Sequence, residues 1–300
     1  MTIGGLFVGL ATLDVVQRVG RLPTPDEKVV ADQTWLAAGG PAAVAAVAFA
    51  ALGGRARLWT ALGGSPSALL VASDLAAAGV EVVDVAPPGF ELAASTVLLD
   101  AITGERAVVS GSGRVPVLGK IAGPDLSGVD VVLVDGHHAA LARSATLAAP
   151  LLPGEPRGTS GATSGRLPIV VDAGSHKPVL DDVLPLATDV ICSADYQHPA
   201  GLGPRDLLSL GPDLVAVSHG RLPLEWWTTT ASGVVTPEPV DAVDTVGAGD
   251  VLHGAYCFWL ASGLSRREAL VRAVATATER VRHLGPFAWR AGISRSGPPS

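Results

Sequence analysis

Little in this 300-residue chain can form disulfides or bind metal: it has two cysteines and one methionine, and aromatic residues make up only 4% of it. Cys192 and Cys257 lie far apart in apolar surroundings, which excludes a disulfide framework and predicts reduced core thiols. The seven histidines include no His-Glu-x-x-His pattern and no Cys/His ligand spacing, and adjacent residues such as His137 and His138 rarely share a metal, so structural zinc is not expected. Basic residues are also short. A net charge of −7 and a pI near 5.4 leave no basic face for nucleic acid or an anionic membrane. No Gly-x-Gly-x-x-Gly follows the first strand-like run, which argues against a dehydrogenase, and no Gly-Lys-Ser/Thr marks a P-loop.

One stretch lacks charge altogether, from Asp32 to Arg55, long enough on paper to cross a bilayer. It is mostly Ala and Gly and is broken by Gly39-Gly40-Pro41, so the spacing predicts a buried helix from Pro41 to Leu52 instead. The chain opens Met1-Thr2-Ile3 without a basic leader, so no signal peptide is expected, and the reduced thiols fit a cytoplasmic setting.

Apolar residues are plentiful, at 48%, ample for a large core. Short apolar runs alternate with helical patterns. Strand-like segments at 57–60, 80–85, 129–134, 167–172, 189–192 and 214–218 are separated by helical candidates such as 67–78 and 139–151, and 266–282 carries apolar residues at helical spacing. That order predicts an α/β fold, three layers (αβα) around a mainly parallel sheet, in a single domain. Segments 15–36 and 92–112 do not fit the alternation and read as a small projecting β lid. Its edge, with Val97, Leu98, Val108 and Val109, would pair uncontrollably if left bare, which predicts a homodimer through the lid. Low-complexity residues 153–166 read as a flexible surface loop within the domain.

The chemistry concentrates at Asp244-Thr245-Val246-Gly247-Ala248-Gly249-Asp250, followed by an apolar helical run. A glycine-rich turn opening a helix aims unpaired amides and the positive end of the helix dipole at one point, which suits an anion. There Asp250 can take a hydroxyl proton while the amides of Gly247, Ala248 and Gly249 hold developing phosphoryl charge. Asp14, shortly after the first apolar strand, is placed to meet a ligand.

DTVGAGD resembles the DTxGAGD signature of the ribokinase-like sugar kinases, the PfkB family, and further likenesses follow in the family's order along most of the chain. The resemblance implies a ribokinase-like fold and an ATP-dependent kinase that uses Mg²⁺ and phosphorylates a hydroxyl of a sugar or of a phosphorylated or acidic sugar, with Asp250 as base. It implies that Asp14, Gly39 and Gly40 meet the sugar, that Ser218 and Gly220 lie by the ATP phosphates, and that Ala275 lies near the adenine. Asp244 and the carbonyl of Val246 fall where some members bind a monovalent cation such as K⁺. Gly20 to Lys28, the GGPAAVAA stretch and DVLHGA are similar to the sulfofructose kinase branch. By that likeness Lys28 reaches an anionic substituent, but Ser110 and His137 stand where that branch is expected to have further polar or cationic contacts, so a sulfosugar is not assumed; Arg106 and His137 are counted among the candidate substrate contacts. Two positions depart from the family: Val44 stands where an asparagine is common, and Ser193-Ala194-Asp195-Tyr196-Gln197 replaces the NxxE motif that supports magnesium. Two alternatives therefore stay open. One is a nucleoside kinase, with Trp35 or Phe90 as the platform for the base; the other is a catalytically weakened sugar- or nucleotide-binding protein.

Overall fold

Five-residue apolar runs with every side chain buried build the centre of the molecule, in a computed structural model that describes residues 2–104, 106–111, 121–149 and 166–293. The chain starts with β1 (Gly4–Val8), β2 (Thr12–Val19), β3 (Ala31–Gly39), α1 (Pro41–Ala51), β4 (Arg55–Thr60), α2 (Pro66–Ala77) and β5 (Val80–Asp84). It continues with β6 (Ala94–Asp100), β7 (Arg106–Ser110), β8 (Val131–Val134), α3 (Ala139–Ala148), β9 (Ile169–Ala173), α4 (Leu180–Val183) and β10 (Asp189–Ser193). Last come β11 (Leu214–His219), β12 (Leu222–Trp227), β13 (Ser232–Val235), α5 (Ala248–Ala261), α6 (Arg266–Val281) and α7 (Arg290–Ile293).

The main sheet has nine strands in the order β13-β12-β11-β10-β9-β8-β1-β4-β5. From β11 to β5 every pair is parallel, and β12 and β13 extend it as an antiparallel hairpin. Alternation within the strands makes the three layers. Phe7, Leu133, Val170, Ile191 and Ala216 pack with α1, α2, α5 and α6 on one face. Leu6, Val8, Val132, Val171, Val190 and Val215 pack with α3 and α4 on the other. Because the strands are parallel, the carboxyl ends of β1, β8, β9, β10 and β11 share one edge of the sheet, where open α/β sheets bind ligands.

The charge-poor stretch is α1, buried against the sheet and α5. Its run of alanines has a partner feature in Gly254: a Cβ there would drive into the backbone carbonyl of Ala45, so only small residues let α1 and α5 approach this closely. No described helix is long and apolar enough to cross a membrane. α2 and α6 start where Ser65 and Ser265 accept backbone amides, Ser265 in a reciprocal capping box with Glu268.

The smaller sheet runs β3-β2-β6-β7 and corresponds to the expected lid. The lid starts earlier than the expected residue 15 and takes in Asp14, expected shortly after the first strand. β2 begins at Thr12 and pairs Asp14 with Ala37 and Ser95, so the carboxylate stands on a lid strand. Arg166 apart, the expected loop at 153–166 lies outside the described residues, as does the end of the predicted 139–151 helix.

Candidate active site

Two glycines shape the floor of the site. Gly247 caps α5 in the left-handed region at φ 72°, turning the chain so that Asp250 sits in the first helical turn. Gly40 caps α1 at φ 94°, where a Cβ would collide with the Leu10 carbonyl. A Cβ on Gly39 would collide with the Asp14 carboxylate. The double glycine was expected to admit a sugar close to the backbone. Here it makes room for Asp14 and for the turn into α1.

A pocket opens between these elements, and Asp14, Gly40, Val44, Gly247, Asp250 and Phe287 are among the residues that line it. Asp250 is half-buried, and among the described residues no donor is hydrogen-bonded to its carboxylate. Burial, and then the negative charge of Asp172, push its pKa up to about 7, with His253 acting in the opposite direction. That places a base at the ionisation midpoint that neutral-pH proton transfer favours. Asp14 accepts from Thr12 Oγ1 at 2.7 Å, and burial raises its pKa against the hydrogen bonds from Thr12 and Ser95.

Of the three amides expected to hold an anion, that of Ala248 is already engaged. Ala248 N donates to Thr245 O at 3.3 Å, and Val246 N donates to Asp244 Oδ1 at 2.9 Å. The amides without a partner among the described residues are those of Gly247, Gly249 and Asp250.

Asp244 departs further from expectation. Its Oδ2 accepts from Arg280 and from Gly285 N, each at 3.0 Å, and Asp244 and Arg280 are each 1% exposed. Both carboxylate oxygens are engaged, and the positive charge beside them is this chain's own guanidinium. That guanidinium repels a further cation and so disfavours the expected monovalent-cation role of Asp244.

The remaining expected residues divide into two groups. Arg106, on β7, reaches across 139 positions to Thr245 O and Oγ1, both at 3.2 Å, so the lid is fastened to the glycine loop. His137 follows β8, its amide donating to Asp135 at 2.9 Å, in electrostatic reach of Lys177 and Asp172. Ser218 is the last residue but one of β11, its hydroxyl donating to Cys192 O at 3.3 Å, and Gly220 turns the hairpin into β12 at φ 60°. Asp195 is exposed just beyond β10, its amide bonded to Ser193 Oγ. Lys28 and Ala275 are exposed, and neither lines the pocket. Phe90 is packed in the core and Trp35 stands against Gly285, so neither expected aromatic platform lines this pocket. Phe287 and Arg280 do, and no motif in the sequence pointed to either.

The profile described as "pfkB family carbohydrate kinase" matches residues 205–288. Over 264 residues the chain is 30% identical to an ATP-dependent ribose-1-phosphate kinase from Halopiger xanaduensis, covering 86% of this chain and 85% of that one. Among solved structures it is similar to a provisionally named ribokinase from Agrobacterium tumefaciens (28% identity, TM-score 0.83, 99% of this chain and 97% of that one). It also shares its fold with Arabidopsis thaliana ribokinase in complex with ribose and ATP (20% identity, TM-score 0.71, 98% of each chain).

Proposed function

The chain belongs to the pfkB family of carbohydrate kinases, and from that premise we propose how its pocket moves a phosphoryl group from ATP to a sugar hydroxyl. The protein is an ATP-dependent carbohydrate kinase; the residue roles and the acceptor are our reading. One observation carries it: Asp250, with no donor on its carboxylate among the described residues, shares a pocket with Asp14 and with the open amides at the start of α5.

In this reading Asp14 orients the sugar by accepting from its hydroxyls, and a carboxylate oxygen of Asp250 takes the proton of the attacking hydroxyl. The amides of Gly247, Gly249 and Asp250 meet the charge that develops on the transferred group. Ser218 and Gly220 are assigned to the ATP phosphates along the sheet edge, and Ala275 is kept for the adenine by resemblance alone. Mg²⁺ bound with ATP would supply charge neutralisation, and the exposed Asp195 carboxylate just beyond β10 offers hard oxygen ligands that fit it. A monovalent cation is left out of the proposal, because Arg280 occupies Asp244.

For the acceptor we propose a phosphorylated pentose of the ribose 1-phosphate type, the substrate named for the Halopiger relative. Arg106 at the lid and Lys177 at the sheet edge supply cations for such an anion, and His137, whose pKa burial lowers, serves as a neutral hydrogen-bond partner; Lys28 is assigned an outer role at most. We further propose that the kinase works in the cytoplasm, its two cysteines being free and buried. The homodimer is proposed through the lid, where Val108 and Val109 are 52% and 74% exposed. The test is ADP release over a panel of ribose, ribose 1-phosphate, sulfofructose, fructose phosphates and adenosine. Turnover is expected to be fastest with ribose 1-phosphate. Turnover with adenosine and with no sugar would put the nucleoside reading in its place, and ligand binding without ADP release would leave only a binding protein.

A further inference from the structure

Asp172 and His253 belong to no motif that the kinase reading uses, yet they lie beside its base. Asp172 is the fourth residue of β9 and alternates with Val171 to point at the α5 side of the sheet. Its Oδ1 accepts from Gly174 N at 3.0 Å. Its Oδ2 stands 3.6 Å from Nδ1 of His253, which lies one helical turn beyond Asp250 on α5. One donor atom from each of Asp172, Asp250 and His253 lies within 4.8 Å of the other two.

The hydrogen-bond partners determine how the imidazole is used. Nε2 of His253 lies 3.2 Å from the carbonyl oxygen of Ile191, which can only accept, so Nε2 carries a hydrogen. Nδ1 is buried without a hydrogen-bond partner, with a carboxylate in front of it. A lone pair facing a carboxylate is repelled and an N–H is attracted.

We propose that His253 is a positioning residue that, held by Ile191 and carrying a proton toward Asp172, offsets the carboxylate beneath Asp250 so that the base can ionise at neutral pH. Asp172 is then the negative charge that fixes both the imidazole and the poise of the base. The other charged groups facing Asp250 are Asp14 from β2 and Asp135 beyond β8, with Arg280 of α6 lining the same pocket. Asp135 is held by the amides of Leu10, Ala42 and His137, and Arg280 by Asp244. This inference rests on Asp250 being the base.

The experiment is the pH profile of kcat with the best acceptor. Removing the negative charge in Asp172→Asn is expected to move the acid limb to lower pH, and removing the cation in His253→Gln to move it to higher pH, each by about one pH unit. Asp172→Glu should return the limb toward wild type, and KM for ATP should stay within about twofold throughout. Limbs that stay in place while kcat falls evenly at every pH would overturn the proposal and leave a purely structural pair. Nitrogen NMR of the wild-type His253 ring, assigned by its loss in His253→Gln, tests the idea even where a variant fails to fold: an unprotonated Nδ1 at about pH 6 overturns it. The two readings fail separately. An active Asp250→Asn protein removes the base itself, whereas an inactive one with unmoved limbs in the other variants removes only the positioning pair.

Discussion

Replacing Asp250 with asparagine is expected to abolish most turnover and at the same time to stabilise the fold. A carboxylate in the first turn of a helix normally contributes about 0.3–1 kcal/mol. Here burial and the charge of Asp172 outweigh that contribution and raise the pKa from 3.8 to about 7. The folded chain then holds the proton more tightly than the unfolded chain. Stability therefore falls as pH rises from about 4 to about 7, and the penalty is fully present above about 7. At about 1.4 kcal/mol per pH unit the ceiling is about 4 kcal/mol. Solvent at the pocket mouth screens part of this, which brings the expected penalty to about 1–2 kcal/mol. Urea denaturation at about pH 5 and pH 8 measures it: the variant should gain on wild type between the two pH values. ADP release should drop by on the order of 10²–10⁴-fold above about pH 7, where the wild-type Asp250 is ionised. An asparagine variant no more stable than wild type at pH 8, or one that turns over within a few-fold of it, would refute the reasoning.

Three further outcomes are expected. Arg280→Met leaves Asp244 buried with only backbone donors and should cost about 3–5 kcal/mol by denaturant titration, part of it recovered when Asp244→Asn is added. Gly254→Val puts carbon atoms where the Ala45 carbonyl lies, so α1 and α5 must separate; a loss of about 1–3 kcal/mol, or failure to fold, is expected from the same titration. Turnover in potassium salts should match turnover in tetramethylammonium salts, because Asp244 is already occupied by Arg280; strong activation by K⁺ would contradict that assignment.

The parallel layer was readable from the chain because its strands are buried on both faces and so are continuous apolar runs, as at Val131–Val134 and in the first three residues of β9. The glycine loop was readable because its backbone needs Gly247 at a positive φ, and few residue types satisfy that. Other features left no local trace. β12 and β13 carry mixed polar and apolar residues in an antiparallel hairpin at the end of the sheet, so neither is a continuous apolar run. Arg106 reads as a solvated lid arginine until the fold carries it to Thr245. Arg280 reads as an ordinary arginine late in a helix; its burial follows from the arrival of Asp244 and Gly285 beside it.

The identity of the base is the clearest case of information that lies only in three dimensions. Four aspartates, at 14, 135, 172 and 250, act on one another at the ligand edge, and their residue type alone gives each an equal claim. Their partners separate them. Asp135 accepts three backbone amides, Asp14 a hydroxyl, and Asp172 an amide while facing His253. Hydrogen bonds to a carboxylate favour its charged form and make it a weaker proton acceptor. Asp250 alone has no such donor among the described residues, and burial raises its pKa toward neutrality. It is therefore the one member of the group that gains by taking a proton when a hydroxyl approaches, and it stands in the first turn of the helix whose open amides can receive the phosphoryl charge.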